Sequence, residues 1–175
     1  RVNEISSKTP LFSKFCEIWF TDKEIEWRTS YKGKIQIVIK KYLIPFFGTI
    51  PVINIKKSDI LGFRSSLAKV THGKNQECLS PSRINQIMIA LRMILDSAAE
   101  RYDFDSPYKN IKNLKQGKIE VTPFSLEEVH KILSTVRDDF KPYYTIRFFT
   151  GMRTSEIDGL QWENIDLQRR EIHIR

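Results

Sequence analysis

Apolar residues recur at helical spacing through most of the chain, and this pattern predicts a mainly helical protein. The clearest segment follows Ser80 and Pro81, because serine is a favoured N-cap and proline needs no N–H partner at the first helical position. Its apolar positions lie three or four residues apart: Ile84, Ile87, Met88, Leu91, Ile94, Leu95 and Ala98. We therefore predict a long helix that begins at residue 81 and buries this stripe.

Three more helices are predicted before it. Leu11, Phe12, Phe15, Ile18 and Trp19 fit one helical face. A second helix is expected from about Thr29 to Ile44, ending before Pro45 because proline cannot continue it. Its predicted core face is Tyr31, Ile35, Val38 and Tyr42. A third is expected from Ser58 through Leu67, followed by a polar loop over 71–77.

Residues 103–122 contain proline, glycine and several lysines with little periodicity, which is typical of a linker. We place a helical domain at 1–112, a linker at 113–122 and a second domain at 123–175. In the second domain, Ser125 and Glu128 are spaced as a capping box for a helix through Val136. A further helix is expected over 141–150, ending at Gly151, and a short one from Ser155.

The last residues alternate as a strand does, with Ile172 and Ile174 on one face, yet no strand partner follows them. The sequence also begins at Arg1 without an initiator methionine. We interpret it as an excised piece of a longer protein whose last strand edge is unpaired.

The basic charge lies in the first two thirds of the chain. The whole sequence has a net charge of +8; residues 1–115 contain 20 Lys+Arg against 11 Asp+Glu, and residues 116–175 contain 9 against 10. Such a basic domain indicates an anionic polymer partner, chiefly nucleic acid, although charge alone fits a solvated surface equally well. The two cysteines match no zinc or disulfide pattern, and no apolar run could span a membrane, so a soluble cytosolic protein is the default.

Two predicted helices present polar side chains suited to DNA. On the second helix Arg28, Lys32, Gln36 and Lys40 form a ridge at i+4 spacing. The full predicted DNA-binding set is Arg28, Lys32, Lys34, Lys40, Ser82, Arg83, Gln86 and Arg92. Ser82, Arg83 and Gln86 are predicted to reach base edges, and the lysines to contact phosphates. The alternative for each is a solvated helix face.

The sharpest candidate for chemistry is Arg153, which lies in a bend between Gly151 and the next helix. A guanidinium group in a fixed bend could bind a phosphate through two donors, and Glu156 could orient it. On spacing alone, the favoured interpretation is an ordinary turn between helices with an exposed arginine.

The stretch from Phe149 to Asp166, FTGMRTSEIDGLQWENID, resembles the first catalytic box of the tyrosine recombinases, the phage integrase family. That box reads T-G-(L/M/C)-R-x-S-E-(I/L)-x-x-L-x-W-x-(D/N)-(I/V)-D. Thr122–Val129 is similar to the opening of the family's catalytic domain, and Tyr42–Gly48 to the end of the second helix of its core-binding domain. The resemblance implies a mainly α fold, with a helical-bundle (SAM-like) core-binding domain followed by a truncated α+β catalytic-domain fragment.

The family resemblance also implies a function. Members clamp double-stranded DNA between these two domains, and a tyrosine cleaves it through a 3′-phosphotyrosyl link without a metal or other cofactor. Arg153 falls on the first catalytic arginine, which stabilises charge on the phosphate oxygens, and Glu156 on the acidic position that supports it. A full-length member would act as a tetramer on paired sites in the cytoplasm, associated with the nucleoid.

The sequence departs from the family in lacking the later catalytic residues. None of its three histidines has an arginine three residues on, and its six tyrosines all precede Arg153. Tyr143 and Tyr144 are interpreted as packing or hinge residues, and these 175 residues are predicted not to cleave DNA. Two alternatives stay open: a catalytically inactive DNA-binding relative, and a basic helical module that binds proteins and not DNA.

Overall fold

The computed structural model describes residues 9–72, 77–117 and 120–174, and this part of the chain is mainly helical, as predicted. The chain divides into two compact units, residues 1–118 and 119–175. Among the described residues no helix combines the length and apolarity needed to cross a membrane.

The first unit is a helical bundle built around one long helix. Its helices are α1 (Phe12–Lys23), α2 (Thr29–Val38), α3 (Ile44–Phe47), α4 (Lys57–Leu67) and α5 (Pro81–Tyr102). Two short strands, β1 (Thr71–His72) and β2 (Glu77–Cys78), pair antiparallel where a polar loop was predicted. Strands of two residues are too short to show a period of two, so the sequence pattern could not predict them.

α5 supplies the centre of this core, and the predicted stripe is correct at every position. All seven apolar residues predicted to be buried are at most 2 % exposed. Ser80 caps the helix through its Oγ, which accepts from the N–H of Arg83 at 3.2 Å. Phe12, Phe15 and Trp19 of α1 join the same core, so one long helix holds the first unit together.

The second predicted helix does not end before Pro45. A π-helical turn covers Ile39–Leu43, and the N–H of Ile44 donates to the carbonyl of Ile39. This extra residue in the turn lets Pro45 lie in the first turn of α3, where its missing N–H costs nothing.

The π turn also changes which residues of this helix are buried. Ile35 and Val38 are buried as predicted, and Ile39 and Leu43 join them. Tyr42, predicted in the core, is half-buried because the wider turn moves Leu43 into the core position. Tyr31, also predicted in the core, precedes the π turn and is 37 % exposed.

Residues 103–114 pack against the first unit, although their composition indicated a linker. Phe104, Tyr108, Ile111 and Leu114 lie against its core, and Tyr108 is only 5 % exposed. Asp103 adopts the left-handed conformation (φ 53°) that ends α5. These four apolar residues are four, three and three residues apart, a helix-like spacing, yet the segment forms turns, so its burial depends on packing against the rest of the unit.

The described residues of the second unit form three α-helices and a small hairpin. These are α6 (Leu126–Thr135), α7 (Lys141–Thr150), α8 (Thr154–Asp158), β3 (Ile165–Asp166) and β4 (Glu171–Ile172). The predicted capping box is present: Ser125 Oγ accepts from the N–H of Glu128 at 3.2 Å, and the Glu128 carboxylate accepts from the N–H of Ser125 at 2.7 Å.

The final strand pairs with a strand that precedes it; the prediction concerned a partner that would follow it, and the described residues do not contradict that prediction. β4 pairs antiparallel with β3, with Ile172 opposite Ile165. The partner precedes the strand in the sequence and is joined to it by a tight turn. In that turn the Asp166 carboxylate accepts from the N–H groups of Gln168 and Arg169, both at 2.9 Å.

Candidate functional site

Three residues of the predicted DNA-binding set meet in one groove between α2 and α5. Lys34 approaches from α2, and Arg83 and Gln86 approach from the first turns of α5. The groove has a volume of about 330 Å³, and its remaining lining is Tyr31, Ile35, Val38, Ile89 and Ala90. Two cationic groups and an amide therefore stand beside an apolar floor; we call this surface the α2–α5 groove.

The polar side chains of the α2–α5 groove are held by local contacts. Arg83 Nη1 donates to Gln86 Oε1 at 3.1 Å, one helical turn away. No carboxylate is among the residues that line the groove. Lys34 and Arg83 can therefore attract an anion into the groove or donate hydrogen bonds to polar acceptors such as base edges.

The ridge predicted on α2 lies on the other flank of that helix. Gln36 and Lys40 line a hollow of about 300 Å³ against α1, which also contains Cys16 and Glu17. A helix turns by 100° per residue, so the i+4 ridge and Lys34 cannot share one narrow face. The prediction grouped Lys34 with the lysines and arginine of the ridge because of their shared charge and helix, and their spacing did not place them on one face.

The remaining predicted residues are spread around these helices. Arg28 is exposed at the N-cap of α2, Lys32 is half-buried on α2, and Ser82 is half-buried in the first turn of α5. Arg92 is not among the residues that line the groove; it lies nine residues beyond Arg83, about 13.5 Å along the helix axis. Its Nε donates to Asp96 Oδ2 at 3.2 Å, and its guanidinium stands 6.0 Å from the ring centre of Tyr108.

Two further residues of the groove, Tyr31 and Ile89, were not predicted from the sequence to lie at a functional surface. Ile89 is 45 % exposed although it is a large aliphatic residue within α5. Tyr31 was expected in the core but lines the groove. The signal for Ile89 was available, because it falls outside the apolar stripe of α5 and on the same face as Gln86.

Arg153 is the N-cap residue of α8 and follows the left-handed Gly151 (φ 70°) that ends α7. Its side chain is 83 % exposed, whereas that of Glu156 is 20 % exposed. The Glu156 carboxylate accepts from the Arg153 backbone N–H at 2.7 Å and from Arg153 Nη1 at 2.8 Å. One carboxylate thus holds both ends of the arginine and leaves most of its guanidinium facing solvent.

This contact favours the ionised form of Glu156. Hydrogen bonds from the Arg153 backbone N–H first, and then from its side chain, lower the pKa of Glu156 below its usual 4.5. The arrangement can therefore present a fixed cation to a phosphate while its partner stays negatively charged at neutral pH.

A shallow hollow of about 380 Å³ opens beside this turn and is lined by Phe124, Tyr144, Arg147, Phe148, Gly151 and Met152. Tyr143 and Tyr144 are half-buried, and their rings meet edge-on at 5.4 Å. Met152 and Ile157 are buried on either side of Arg153 and anchor the turn. Within the described residues no group of three or more His, Cys, Asp or Glu side chains is placed to hold a metal ion.

Known proteins match nearly the whole chain. Residues 11–68 match the phage integrase N-terminal SAM-like domain. The ICEBs1 integrase of Bacillus subtilis strain 168 is 28 % identical over 172 residues, covering 96 % of this chain and 45 % of that protein. The prophage integrase IntR of Escherichia coli K12 is 26 % identical over 174 residues, covering 94 % of this chain and 42 % of that protein.

Among solved structures, the fold is similar to that of the Tn1549 transposon integrase in complex with circular intermediate DNA. The TM-score is 0.71 at 18 % identity, covering 92 % of this chain and 53 % of that one. The chain therefore spans less than half the length of both curated relatives.

Proposed function

This chain belongs to the phage integrase family, the tyrosine recombinases, and we propose that it is the DNA-binding and partial catalytic portion of a site-specific DNA recombinase. The observation that carries the proposal is the exposed guanidinium of Arg153, held through Glu156 within a motif that resembles the family's first catalytic box. The residues 113–122 are proposed as the connection between the core-binding domain and the start of the catalytic domain at residue 123.

The α2–α5 groove supports duplex DNA as the ligand. Lys34 and Arg83 supply positive charge there, and no carboxylate lines the groove to neutralise it. We assign phosphate contacts to Lys34 and to the outlying Arg28, Lys32, Lys40 and Arg92. Base edges are assigned to Ser82, Arg83 and Gln86. Ile89 offers an apolar contact of the kind that a thymine methyl group accepts.

Arg153 would act on the scissile phosphate. In the proposed parent enzyme a tyrosine attacks that phosphate and forms a 3′-phosphotyrosyl link. Negative charge on the non-bridging oxygens grows in the transition state, and a guanidinium already fixed in place stabilises it without reorganisation. Glu156 acts as a positioning residue, because it contacts the arginine rather than the phosphate.

These 175 residues are proposed to bind DNA without cleaving it. Every tyrosine of the sequence precedes Arg153, and no histidine is followed by arginine at the third position. The parent protein is proposed to supply the nucleophile and to act as a tetramer on paired sites. The test is incubation with a nicked duplex that traps covalent intermediates: no covalent product is expected, and a covalent product from this chain would contradict the proposal.

Binding is tested with a fluorescent duplex and anisotropy at several salt concentrations. We expect weak affinity, with a Kd of roughly 10⁻⁴ to 10⁻⁶ M at physiological salt, that falls steeply between 50 and 200 mM. Lys34→Ala should weaken binding to all sequences and lower the salt slope by about 1, as expected for a lost phosphate contact. Arg83→Ala should also reduce the difference between preferred and scrambled duplexes.

The matched control is Arg101→Ala, which removes another exposed arginine of α5. Arg101 pairs with Asp22 at 2.8 Å and is about 27 Å from Arg83 along the helix axis. It should leave affinity and salt slope unchanged. Equal affinity at 50 and 200 mM salt, or equal losses for Arg101→Ala and Arg83→Ala, would contradict the proposed groove. Absence of any DNA binding would favour the protein-interaction module instead.

A further inference from the structure

Residues 103–114 form a strap that is held against α4 and α5 by three separate polar contacts. At its end, Leu114 donates to Asn85 Oδ1 and accepts from Asn85 Nδ2, both at 2.9 Å. In its middle, Ser106 donates to Asp96 Oδ1 at 2.5 Å. Arg64 of α4 donates to the carbonyl of Lys112 at 3.1 Å.

The contact with Asn85 is the most informative of the three. Asn85 lies inside α5 and is only 5 % exposed, one of the few buried polar side chains among the described residues. Its amide satisfies both backbone groups of Leu114, as a neighbouring strand would. Burying an amide in an apolar core costs free energy unless its donors and acceptor are hydrogen-bonded. The hydrogen bonds to Leu114 of the strap therefore offset the cost of burying Asn85.

Apolar packing adds to these contacts. Phe104, Tyr108, Ile111 and Leu114 all lie against the core of the first unit. Burial raises the pKa of the Tyr108 hydroxyl, in keeping with an enclosed ring. By contrast, the side chains of residues 115–117 and 120–124 are exposed. The change from held to exposed chain therefore comes immediately after Leu114.

We propose that Asn85, Asp96 and Arg64 are positioning residues that dock this strap and so set the point from which the Arg153 unit is tethered. With the strap docked, the tether runs from Leu114 to Ser125, about 11 residues and at most about 38 Å when fully extended. With the strap released it would begin at Tyr102 and contain about 23 residues. The inference rests on the proposed function only in that both units act on one DNA duplex.

The length of the tether matters because it sets the local concentration of one unit near DNA held by the other. That concentration falls roughly as the −3/2 power of tether length, so release of the strap would lower it about threefold. Docking therefore keeps the arginine-bearing unit close to DNA bound by the first unit without any added contact to DNA.

The test is made first without DNA, on the whole chain, by amide hydrogen exchange and brief trypsin digestion. In the wild type the Leu114 amide should exchange at least tenfold more slowly than residues 115–117, and trypsin should cut after Lys115 before it cuts after Lys109 or Lys112. Asn85→Ala should raise Leu114 exchange at least tenfold and open the sites at Lys109 and Lys112. Exchange at Leu91 in α5 reports whether the variant remains folded.

Two further variants make the test decisive. Ser106→Ala removes the contact to Asp96 at a half-buried position, where a substitution is less disruptive than at Asn85. It should also expose the trypsin site after Lys109, so it replaces Asn85→Ala if that variant does not fold. Asn113→Ala is the matched control, because Asn113 is an exposed asparagine at the end of the same strap; it should change neither readout. Wild-type exchange at Leu114 as fast as at 115–117, or unchanged cleavage in both Asn85→Ala and Ser106→Ala, would overturn the proposal.

DNA binding gives a second, separate readout. Asn85→Ala should reduce affinity about threefold, with the salt slope unchanged because no phosphate contact is lost. Unchanged affinity in a variant whose strap has opened would overturn the tether. A wild-type chain that binds no DNA would contradict the proposed function. Hydrogen exchange and proteolysis would still show whether the strap is docked.

Discussion

Arg153 and Glu156 show how a short turn can fix a long side chain. The carboxylate of Glu156 accepts from the backbone of Arg153 and also from its guanidinium. The backbone contact is the ordinary reciprocal bond of a helix N-terminus, and the second contact uses the other carboxylate oxygen. An exposed arginine is thereby held by a residue that would cap the helix in any case.

The titration of Glu156 tests this arrangement. Because the Arg153 backbone N–H is the larger cause of the lowered pKa, Arg153→Ala should leave the pKa of Glu156 below 4.5, though higher than in the wild type. A carboxyl group whose pKa is lowered by folding stabilises the folded state at any pH above its pKa in the unfolded chain. That stabilisation is lost as the pH falls through its pKa in the folded protein. The contact should therefore be intact at neutral pH and lost as the pH falls below 4.5 and through the lowered pKa of Glu156.

Carbon-13 NMR of the Glu156 side-chain carboxyl measures both pKa values. Glu163→Gln serves as a control, since it changes a nearby exposed carboxyl group in the same unit. A return of the Glu156 pKa to 4.5 or above in Arg153→Ala would show that the backbone bond is not its main cause.

Asn85 carries the second prediction at this scale. Removing its amide leaves the N–H and the carbonyl of Leu114 without their partners in a partly buried place. Asn85→Ala should lower the free energy of unfolding of the first unit by about 1–3 kcal/mol, the usual cost of such unpaired groups. Urea denaturation followed by tryptophan fluorescence measures it, and Asn113→Ala should differ from the wild type by less than about 0.5 kcal/mol.

At the scale of the element, two glycines allow the effect of backbone conformation on stability to be measured apart from that of packing. Gly33 lies within α2 and Gly151 ends α7, and at each an added Cβ would meet nothing within 4 Å. They differ in that Gly151 has a φ of 70°, a conformation that other residues adopt at a cost. Any difference between alanine substitutions at these positions therefore reflects the backbone alone.

Gly33→Ala should stabilise the first unit by about 0.5–1 kcal/mol, because alanine favours a helix interior. Gly151→Ala should destabilise the second unit by about 1–2 kcal/mol, and Gly151→Asn by less, because asparagine tolerates the left-handed region. Amide exchange in α2 and α7 resolves the two units separately. Stabilisation by Gly151→Ala would mean that α7 does not end in the left-handed turn.

Elements also differ in how far the sequence predicted them. α5 follows its apolar stripe throughout because a long buried helix has one dominant period and a clear cap. The end of α2 was wrong, since a π turn adds one residue and changes both the buried face and the position of Pro45. Such a turn is stabilised by surrounding packing and has no local sequence signature.

For the whole molecule, the two units differ in how completely they bury their apolar residues. In the first, large side chains such as Phe12, Ile60 and Leu91 are fully inaccessible. In the described part of the second, the most buried apolar residue is Met152 at 6 %, and Trp162 is 81 % exposed. Burial of apolar surface is the main stabilising term in folding, so the first unit should be the more stable one.

Hydrogen exchange measures this difference across the whole chain at once. Amides of α5 should exchange most slowly, and those of α6 and α7 at least tenfold faster. Leu91→Ala should destabilise the first unit by about 2–5 kcal/mol through the cavity it leaves. Leu133→Ala should cost the second unit less. Equal protection of α5 and α7 would contradict the expected order.

The sequence by itself determined the helical class, the stripe of α5, the caps at Ser80 and Ser125, the bend at Gly151 and the basic character of the first two thirds. These depend on neighbouring residues and on composition, which a single chain displays directly. The motif around Arg153 also belongs here, because its residues are contiguous and the contact to Glu156 spans only one helical turn.

Tertiary structure alone decided which cationic residues share a surface and where the chain leaves the first unit. Lys34 joins Arg83 and Gln86 only because α2 lies beside α5, while Arg92 turns to Asp96 and Tyr108. The strap over 103–114 depends on Asn85, 29 residues earlier in the chain than its partner Leu114. Contacts between distant segments follow from packing, and no local period of hydrophobic and polar residues records them.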